Sequence, residues 1–295
     1  MKWPESVPYT MPINMRPYVD MHVHSTASDG TFTPTALVEY AEQLGLYAFV
    51  LSDHDTVSGL PEAMQAAVGK EVRVIPGIEL SASYHGADIH ILGININYEN
   101  PAFLAKLTDF QKSRQLRNEK MMQKFADIGL PVSEDAKNRY FKDSSVTRAH
   151  FARYLLEIGI VATKDEAFDK YLRKGCPCYV PREMITPFDA LEFIRLAGGH
   201  AVLAHPMFYN HLNHEELDSL VAALKDAGLR GIETIYSTNT PAEESFTRAL
   251  AKKYDLKITG GSDFHGSNKP DIDLMVGRGN LRIPRELLED LITLP

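Results

Sequence analysis

The residues in this chain with the most chemistry in them are histidines and carboxylates, and their spacing is regular. His22 and His24 stand two apart in DMHVH, so on an extended strand both side chains leave the same face. Asp29 follows in HSTASDG, His54 lies inside Asp53-His54-Asp55, Glu79 sits in PGIEL, His90 in DIHILG and His205 in LAHP. Asp263 and His265, again two apart, complete the set in GGSDFHG. Singly, each has a plain structural explanation: a hydrogen-bonded rim histidine, a salt-bridge glutamate, an aspartate in a Ser-Asp-Gly turn. Burying all of them together without partners would cost several kcal/mol per group, and a cation cluster removes that cost. Imidazole and carboxylate ligands without cysteine suit zinc, manganese or ferrous iron. The nine residues exceed what one ion takes, so two or three divalent ions are implied. A site of that kind polarises a phosphoryl oxygen, lowers the pKa of a bridging water and stabilises the leaving oxygen. Phosphoester hydrolysis needs all three effects.

Elements must aim these side chains at one place. Seven short β-rich runs carry or precede them: Tyr18–His24, Tyr47–His54, Val72–Leu80, Asp88–Ile94, Ala201–Pro206, Gly231–Tyr236 and Lys257–His265. Most are continuous apolar runs, as expected of strands covered on both faces. Helical patterns separate many of them. Pro34–Leu44 has Thr33 as N-cap and proline at its first position. Phe188–Ala197 and Glu215–Ala227 show apolar residues at three- and four-residue spacing. The alternation predicts a mainly parallel α/β sheet or barrel. In an α/β barrel the C-terminal strand ends share one mouth, where active sites are built. One connection differs: SASYHGAD is too short for a helical crossover, so the third and fourth runs form a hairpin. The alternation stops between about Pro101 and Pro181. There Phe103–Leu130, Val146–Ile158 and Lys164–Arg173 read as helices, giving a helical insertion between the fourth and fifth strands.

Composition bounds the partners. Of 295 residues, 44% are hydrophobic and 24% charged, a globular balance with enough apolar material for a large core. The net charge of -8 disfavours non-specific binding to duplex DNA. No apolar run approaches the roughly 20 residues that span a membrane, and residues 1–16 read as an exposed lead-in rather than a signal peptide. A cytoplasmic, reducing location is therefore expected. Cys176 and Cys178, in Cys-Pro-Cys, lack a second thiol pair and read as loop residues. Sequence alone leaves the oligomeric state open.

The segments DMHVHSTASDG, LSDHD, IPGIEL, IHILG, VLAHP and GGSDFHG resemble, in order, the motifs of the PHP (polymerase and histidinol phosphatase) family, on both flanks of the insertion. The resemblance implies a distorted (β/α)7 barrel over residues 17–100 and 182–295, with an inserted helical cap over 101–181. It implies one ion on His22, His24, Glu79 and Asp263, a second on Asp29, His54 and His265, and a third on His90, His205 and a bridging Glu79. A metal-bound hydroxide would act beside His22, His24, Asp29, Glu79, Asp263 and His265. Several members have histidine where this chain has Asp29, a departure that bears on the second ion.

The insertion is similar to the cap of the family's nucleoside 3',5'-bisphosphate phosphatases. Its SSVTRAHFARYLLEIG resembles their Arg-Pro-His-Phe-Ala segment, with Ala149 in place of proline. Arg148 offers a planar fork for phosphate and His150 a second donor; Lys142 and Arg182 are further candidates. Tyr236 and Ser237, at the end of the sixth strand, are candidate substrate contacts by position. His85, His200, His211 and His214 fit no motif and read as loop or surface residues. The implied reaction removes the 3'-phosphate of a nucleoside 3',5'-bisphosphate, such as adenosine 3',5'-bisphosphate, and leaves the 5'-monophosphate. The alternatives are a 5'-to-3' exoribonuclease acting on short 5'-phosphorylated RNA, a histidinol-phosphate phosphatase, which has no need of a large cap, and a non-enzymatic metal-binding regulatory module. Loss of ligands would favour the last, and all nine are present.

Overall fold

The computed structural model describes residues 15–141, 146–181, 184–209 and 211–293. Seven strands form one sheet in chain order: β1 (Val19–Val23), β2 (Ala48–Leu51), β3 (Arg73–Tyr84), β4 (Ala87–Ile94), β5 (His200–Leu203), β6 (Gly231–Tyr236) and β7 (Lys257–Gly261). β4 runs antiparallel to both neighbours, and the other pairs are parallel. Beyond β1 and β7 the sheet closes on itself: Asp263 N–H donates to the His22 carbonyl at 2.9 Å and His24 N–H to the Phe264 carbonyl at 3.1 Å. With helices around it, this is a distorted (β/α)7 barrel. β1 and β2 are buried along their whole length, so β2 is a continuous apolar run, and the Asp20 and His22 that alternate with apolar residues in β1 are buried as well.

The described helices are α1 (Pro34–Gln43), α2 (Leu60–Ala66), α3 (Pro101–Asp127), α4 (Glu134–Tyr140), α5 (Arg148–Glu157), α6 (Lys164–Ala167), α7 (Pro187–Leu196), α8 (His214–Asp226), α9 (Pro241–Lys253) and α10 (Arg285–Leu291). Three of them start with the same device. Thr33, Thr186 and Thr240 are N-caps whose side chains accept a backbone N–H, and a proline follows each.

The chain divides into two compact units, one running to Leu104 and resuming at Met184, the other covering Ala105–Glu183. In the first, Val19, Met21, Val50, Ile75, Leu92, Val202 and Ala204 pack with Ile283, Leu288 and Leu291 from the C-terminal segment. Each large apolar side chain buried there contributes about 1.5–3 kcal/mol. The second unit is helical. Its core joins Met121, Phe125, Val146, Phe151, Leu155 and Leu172, with Phe125 stacked on Phe151 at 5.7 Å between ring centroids.

Several boundaries differ from expectation, each for a local reason. The strands stop short of the polar residues that end the apolar runs. Asp55, His205 and Asp263 have φ of 53°, 27° and 56°, and a left-handed backbone cannot continue a strand. The expected hairpin forms, but β3 and β4 extend to a two-residue turn at His85 and Gly86, both with positive φ. The expected helix over Lys164–Arg173 changes pitch, passing from α6 into a π-helical turn at Phe168–Leu172. α4 was not expected, because Ala136 is its one buried residue and leaves no apolar period to read. Residues 1–14 of the lead-in, Lys142 and Arg182 lie outside the described residues; of the lead-in's last two residues Met15 is exposed, but Arg16 is buried, because its guanidinium bonds Glu42 and the Leu46 carbonyl.

Candidate metal centre

His22 lies within β1 and His24 just past its end, and their Nε2 atoms approach to 3.0 Å. Two ring lone pairs cannot face each other at that distance without a proton or a cation between them. Glu79 Oε2, from the middle of β3, is 3.2 Å from both nitrogens, and Asp263 Oδ1 is 3.7 and 3.3 Å from them. Glu79 is fully buried and divides its two oxygens. Oε2 also lies 3.0 Å from His54 Nδ1, while Oε1 lies 2.8 Å from His90 Nδ1 and 3.0 Å from His205 Nε2. Asp29 Oδ1 is 3.1 Å from His265 Nε2, and its Oδ2 is 3.9 Å from His54 Nε2.

All nine residues singled out in the sequence thus meet. Their donor atoms fall into four groups, each within 4.8 Å: His24, Asp29, His54, His265; His22, His24, Asp263; His22, Glu79, His205; and His54, Glu79, His90. The expected partition put His24 on the first ion alone and His54 on the second alone, whereas here each joins two groups.

This donor set fits divalent cations. His24 Nδ1, Glu79 Oε2 and His205 Nδ1 are buried and form no hydrogen bond among the described residues. Orphaned buried polar atoms are uncommon and expensive. Burial works against charge throughout the cluster, yet the carboxyls of Asp29, Glu79 and Asp263 are held well below the usual range by the surrounding histidines and, for Asp263, by Lys269. Burial and then Lys269 push His265 down to about 4, and burial lowers His205. Both rings are therefore neutral and offer lone pairs. His22 is the exception: burial opposes its charge, but Glu79, Glu233 and Asp263 outweigh it and raise its pKa well above 6.5.

Around the donors stands a shell of carboxylates that spacing did not single out. Asp53 accepts Ser25 N–H at 2.8 Å, Ser25 Oγ–H at 2.7 Å and Ser28 Oγ–H at 2.6 Å, so it clamps the loop that carries Asp29. Asp55 does the same for Ser81, through its N–H and its hydroxyl. The two aspartates flanking His54 are thus supports. Glu233, buried in β6, contacts His22 Nδ1 at 3.2 Å. Its sequence signal was a lone carboxylate inside the apolar run GIETIY. Lys269 Nζ lies 2.5 Å from Asp263 Oδ2, and nothing in GSNKP distinguished it.

The expected substrate contacts are placed less uniformly. Tyr236 is buried and donates its hydroxyl to Asp263 Oδ2 at 2.6 Å; Ser237 is buried and donates to the Ser262 carbonyl at 2.7 Å. Both hydroxyls donate to the protein and so help to hold the site, and each keeps lone pairs that can accept. Arg148 opens α5 in the helical unit. His150 Nδ1 accepts the Thr147 N–H at 3.1 Å in a capping box, which puts the proton of the neutral ring on Nε2.

Comparison with known proteins agrees with this geometry. The PHP domain family model matches residues 20–175. A 5'-3' exoribonuclease of Haemophilus influenzae is 37% identical over 246 residues, 83% of this chain and 89% of that protein. A 3',5'-nucleoside bisphosphate phosphatase of Chromobacterium violaceum is 32% identical over 257 residues, 87% of this chain and 90% of that protein. The solved structure of an amidohydrolase from Chromobacterium violaceum, with bound sulfate and no metal, superposes with a TM-score of 0.80 at 32% identity, covering 88% of this chain and 90% of that one. The chain belongs to the PHP domain family and is a metal-dependent phosphoesterase.

Proposed function

We propose that this protein hydrolyses the P–O3' bond of nucleoside 3',5'-bisphosphates, adenosine 3',5'-bisphosphate among them, releasing phosphate and the 5'-monophosphate. The observation that carries this reading is the buried cluster around Glu79, whose donors fit two or three ions of manganese, iron or zinc. His22, His24, Asp29, His54, Glu79, His90, His205, Asp263 and His265 would hold them. When bound, such ions supply Lewis-acid polarisation of the phosphoryl group and a lowered pKa for water.

The chain's own groups supply the rest. Asp263 divides its oxygens: Oδ1 faces the histidines, and Oδ2 accepts from Tyr236 and Lys269. That pair keeps the carboxylate ionised and fixed. Lys269 is 34% exposed, so its remaining N–H bonds can reach a phosphoryl oxygen and offset charge as the bond breaks. Phe208 is 48% exposed, 5.6 Å from the His205 ring and 5.2 Å from Tyr236. An exposed aromatic face beside the cluster suits a nucleobase better than a histidinol side chain. The assignment of Arg148 and His150 to the 5'-phosphate rests on the resemblance of their segment and on the chemistry of the guanidinium fork.

A second reading is favoured by the 37% identity to the Haemophilus influenzae exoribonuclease. A 5'-to-3' exoribonuclease that releases 5'-monophosphates also breaks the P–O3' bond of a 5'-phosphorylated nucleotide. It differs only in the nucleoside attached to the far side of the phosphoryl group. The net charge of -8 argues against long nucleic acid but not against short 5'-phosphorylated RNA. The test compares kcat/KM for adenosine 3',5'-bisphosphate, the 3'- and 5'-monophosphates, a 5'-phosphorylated trinucleotide and histidinol phosphate. The bisphosphate is expected to lead. Preference for the trinucleotide would select the nuclease reading, and preference for histidinol phosphate would reject both.

A further inference from the structure

Glu233 touches the donor cluster at two points without belonging to any of its four groups. Its Oε1 and Oε2 lie 3.2 and 3.4 Å from His22 Nδ1, and Oε2 accepts the backbone N–H of His205 at 2.8 Å. An ionised carboxylate only accepts. His22 Nδ1 must therefore carry the proton, which leaves Nε2 as the nitrogen facing His24 and Glu79. His205 has φ 27° and ψ 56°, a conformation that a non-glycine residue keeps only where its surroundings fix it. The hydrogen bond to Glu233 is part of that fixing. The neighbouring strand makes room for the arrangement: a Cβ on Gly261 would fall 2.2 Å from His22 Cβ and 2.9 Å from Glu233 Oε1.

We propose that Glu233 is a positioning residue that sets two ligands of the metal centre at once, His22 through its ring tautomer and His205 through its backbone. The inference rests on the reading that the cluster binds divalent cations. A carboxamide of the same size has one acceptor oxygen and an NH2 group that donates. Glu233→Gln can therefore serve His22 or His205, but it opposes the other donor to donor.

The experiment strips the full-length protein of metal and titrates it with cobalt(II) against a chelator, recording affinity and the d–d absorption bands. Glu233→Gln should bind cobalt about ten- to a hundredfold more weakly than the wild type, with displaced d–d bands, while far-UV circular dichroism stays unchanged. Wild-type affinity and bands in the variant would overturn the proposal, even if its unfolding temperature fell, since a purely structural role predicts that combination. Should Glu233→Gln fail to fold, Glu233→Asp is measured in the same way. It keeps the charge and loses one methylene of reach, so weaker binding is expected and wild-type binding would overturn the proposal. If the wild-type protein binds no cobalt, the metal reading fails first and takes this inference with it.

Discussion

In the barrel unit, a cluster of imidazoles and carboxylates points inward at itself; in the helical unit, the buried Arg114 and Asn118 point at a backbone carbonyl. Around Glu79, eight further imidazoles and carboxylates converge, and several of the cluster's inner atoms have no hydrogen bond among the described residues. In the helical unit the buried Arg114 and Asn118 instead donate to one carbonyl, that of Val146, at 3.3 and 3.1 Å. The rest of that unit's centre is aromatic and aliphatic, with Phe151 in contact with both Phe125 and Phe141. Its surface pairs, such as Arg153–Glu157 and Lys170–Glu166, follow the i,i+4 helix spacing and contribute little stability. The contrast separates a site from a support. Convergence makes the difference: the donors around Glu79 aim at one place, whereas the helical unit's Arg114 and Asn118 brace a single stretch of backbone.

The largest expected effect comes from Glu79, whose two oxygens face different histidines. Glu79→Ala should lose more than one ion per chain by elemental analysis, and kcat should fall by at least roughly 10³-fold. Full metal content in this variant would erase the distinction between the two regions. The complementary change lies in the helical core. Phe125→Ala should cost about 3–5 kcal/mol in urea unfolding and leave the metal content of the folded protein unchanged. Loss of metal there would mean that the two regions do not divide their tasks as described.

A smaller effect is expected from Arg148→Ala. Loss of a charged hydrogen bond to phosphate is worth about 1.5–3 kcal/mol, or roughly ten- to a hundredfold in kcat/KM. It should fall on substrates with a 5'-phosphate and spare those without one. Equal losses on both would make Arg148 a structural residue. The smallest effect is a pH dependence. Burial opposes charge on His22, but the neighbouring carboxylates win and raise its pKa above the ordinary value. The metal-free protein thus keeps a proton on this ring at neutral pH, and a cation on Nε2 must displace it. Affinity should therefore rise with pH up to that raised pKa, by at most about tenfold per unit for one proton. Titration calorimetry in two buffers of different ionisation enthalpy would detect the released proton. Affinity independent of pH between about 6 and 8 would contradict this account.

Much of the site was legible in the sequence because it is written in residue type and spacing. Pairs two apart on a strand share a face, and a continuous apolar run such as AFVL marks a strand covered on both sides. What stayed illegible depends on a partner distant in the chain. Glu233 gains its meaning from His22, 211 residues away, and Lys269 from a turn that brings it back to Asp263. Tyr236 shows the limit from the other side. Its place at a strand end was readable, but its hydrogen bond to Asp263 was not. The strand ends were overextended because a left-handed residue such as His205 leaves no mark in hydropathy. The π-helical turn after α6 was invisible for a similar reason, since its composition is that of a helix.

The cluster around Glu79 is proposed as a multinuclear metal site that breaks a phosphoester bond. Its most direct test is to strip the protein with a chelator, add back manganese, iron or zinc in known amounts, and follow phosphate release from adenosine 3',5'-bisphosphate as a function of ions bound per chain. No turnover is expected in the stripped protein, and activity should saturate at two or three ions per chain. Full turnover without metal, or saturation at a single ion, would contradict the proposal.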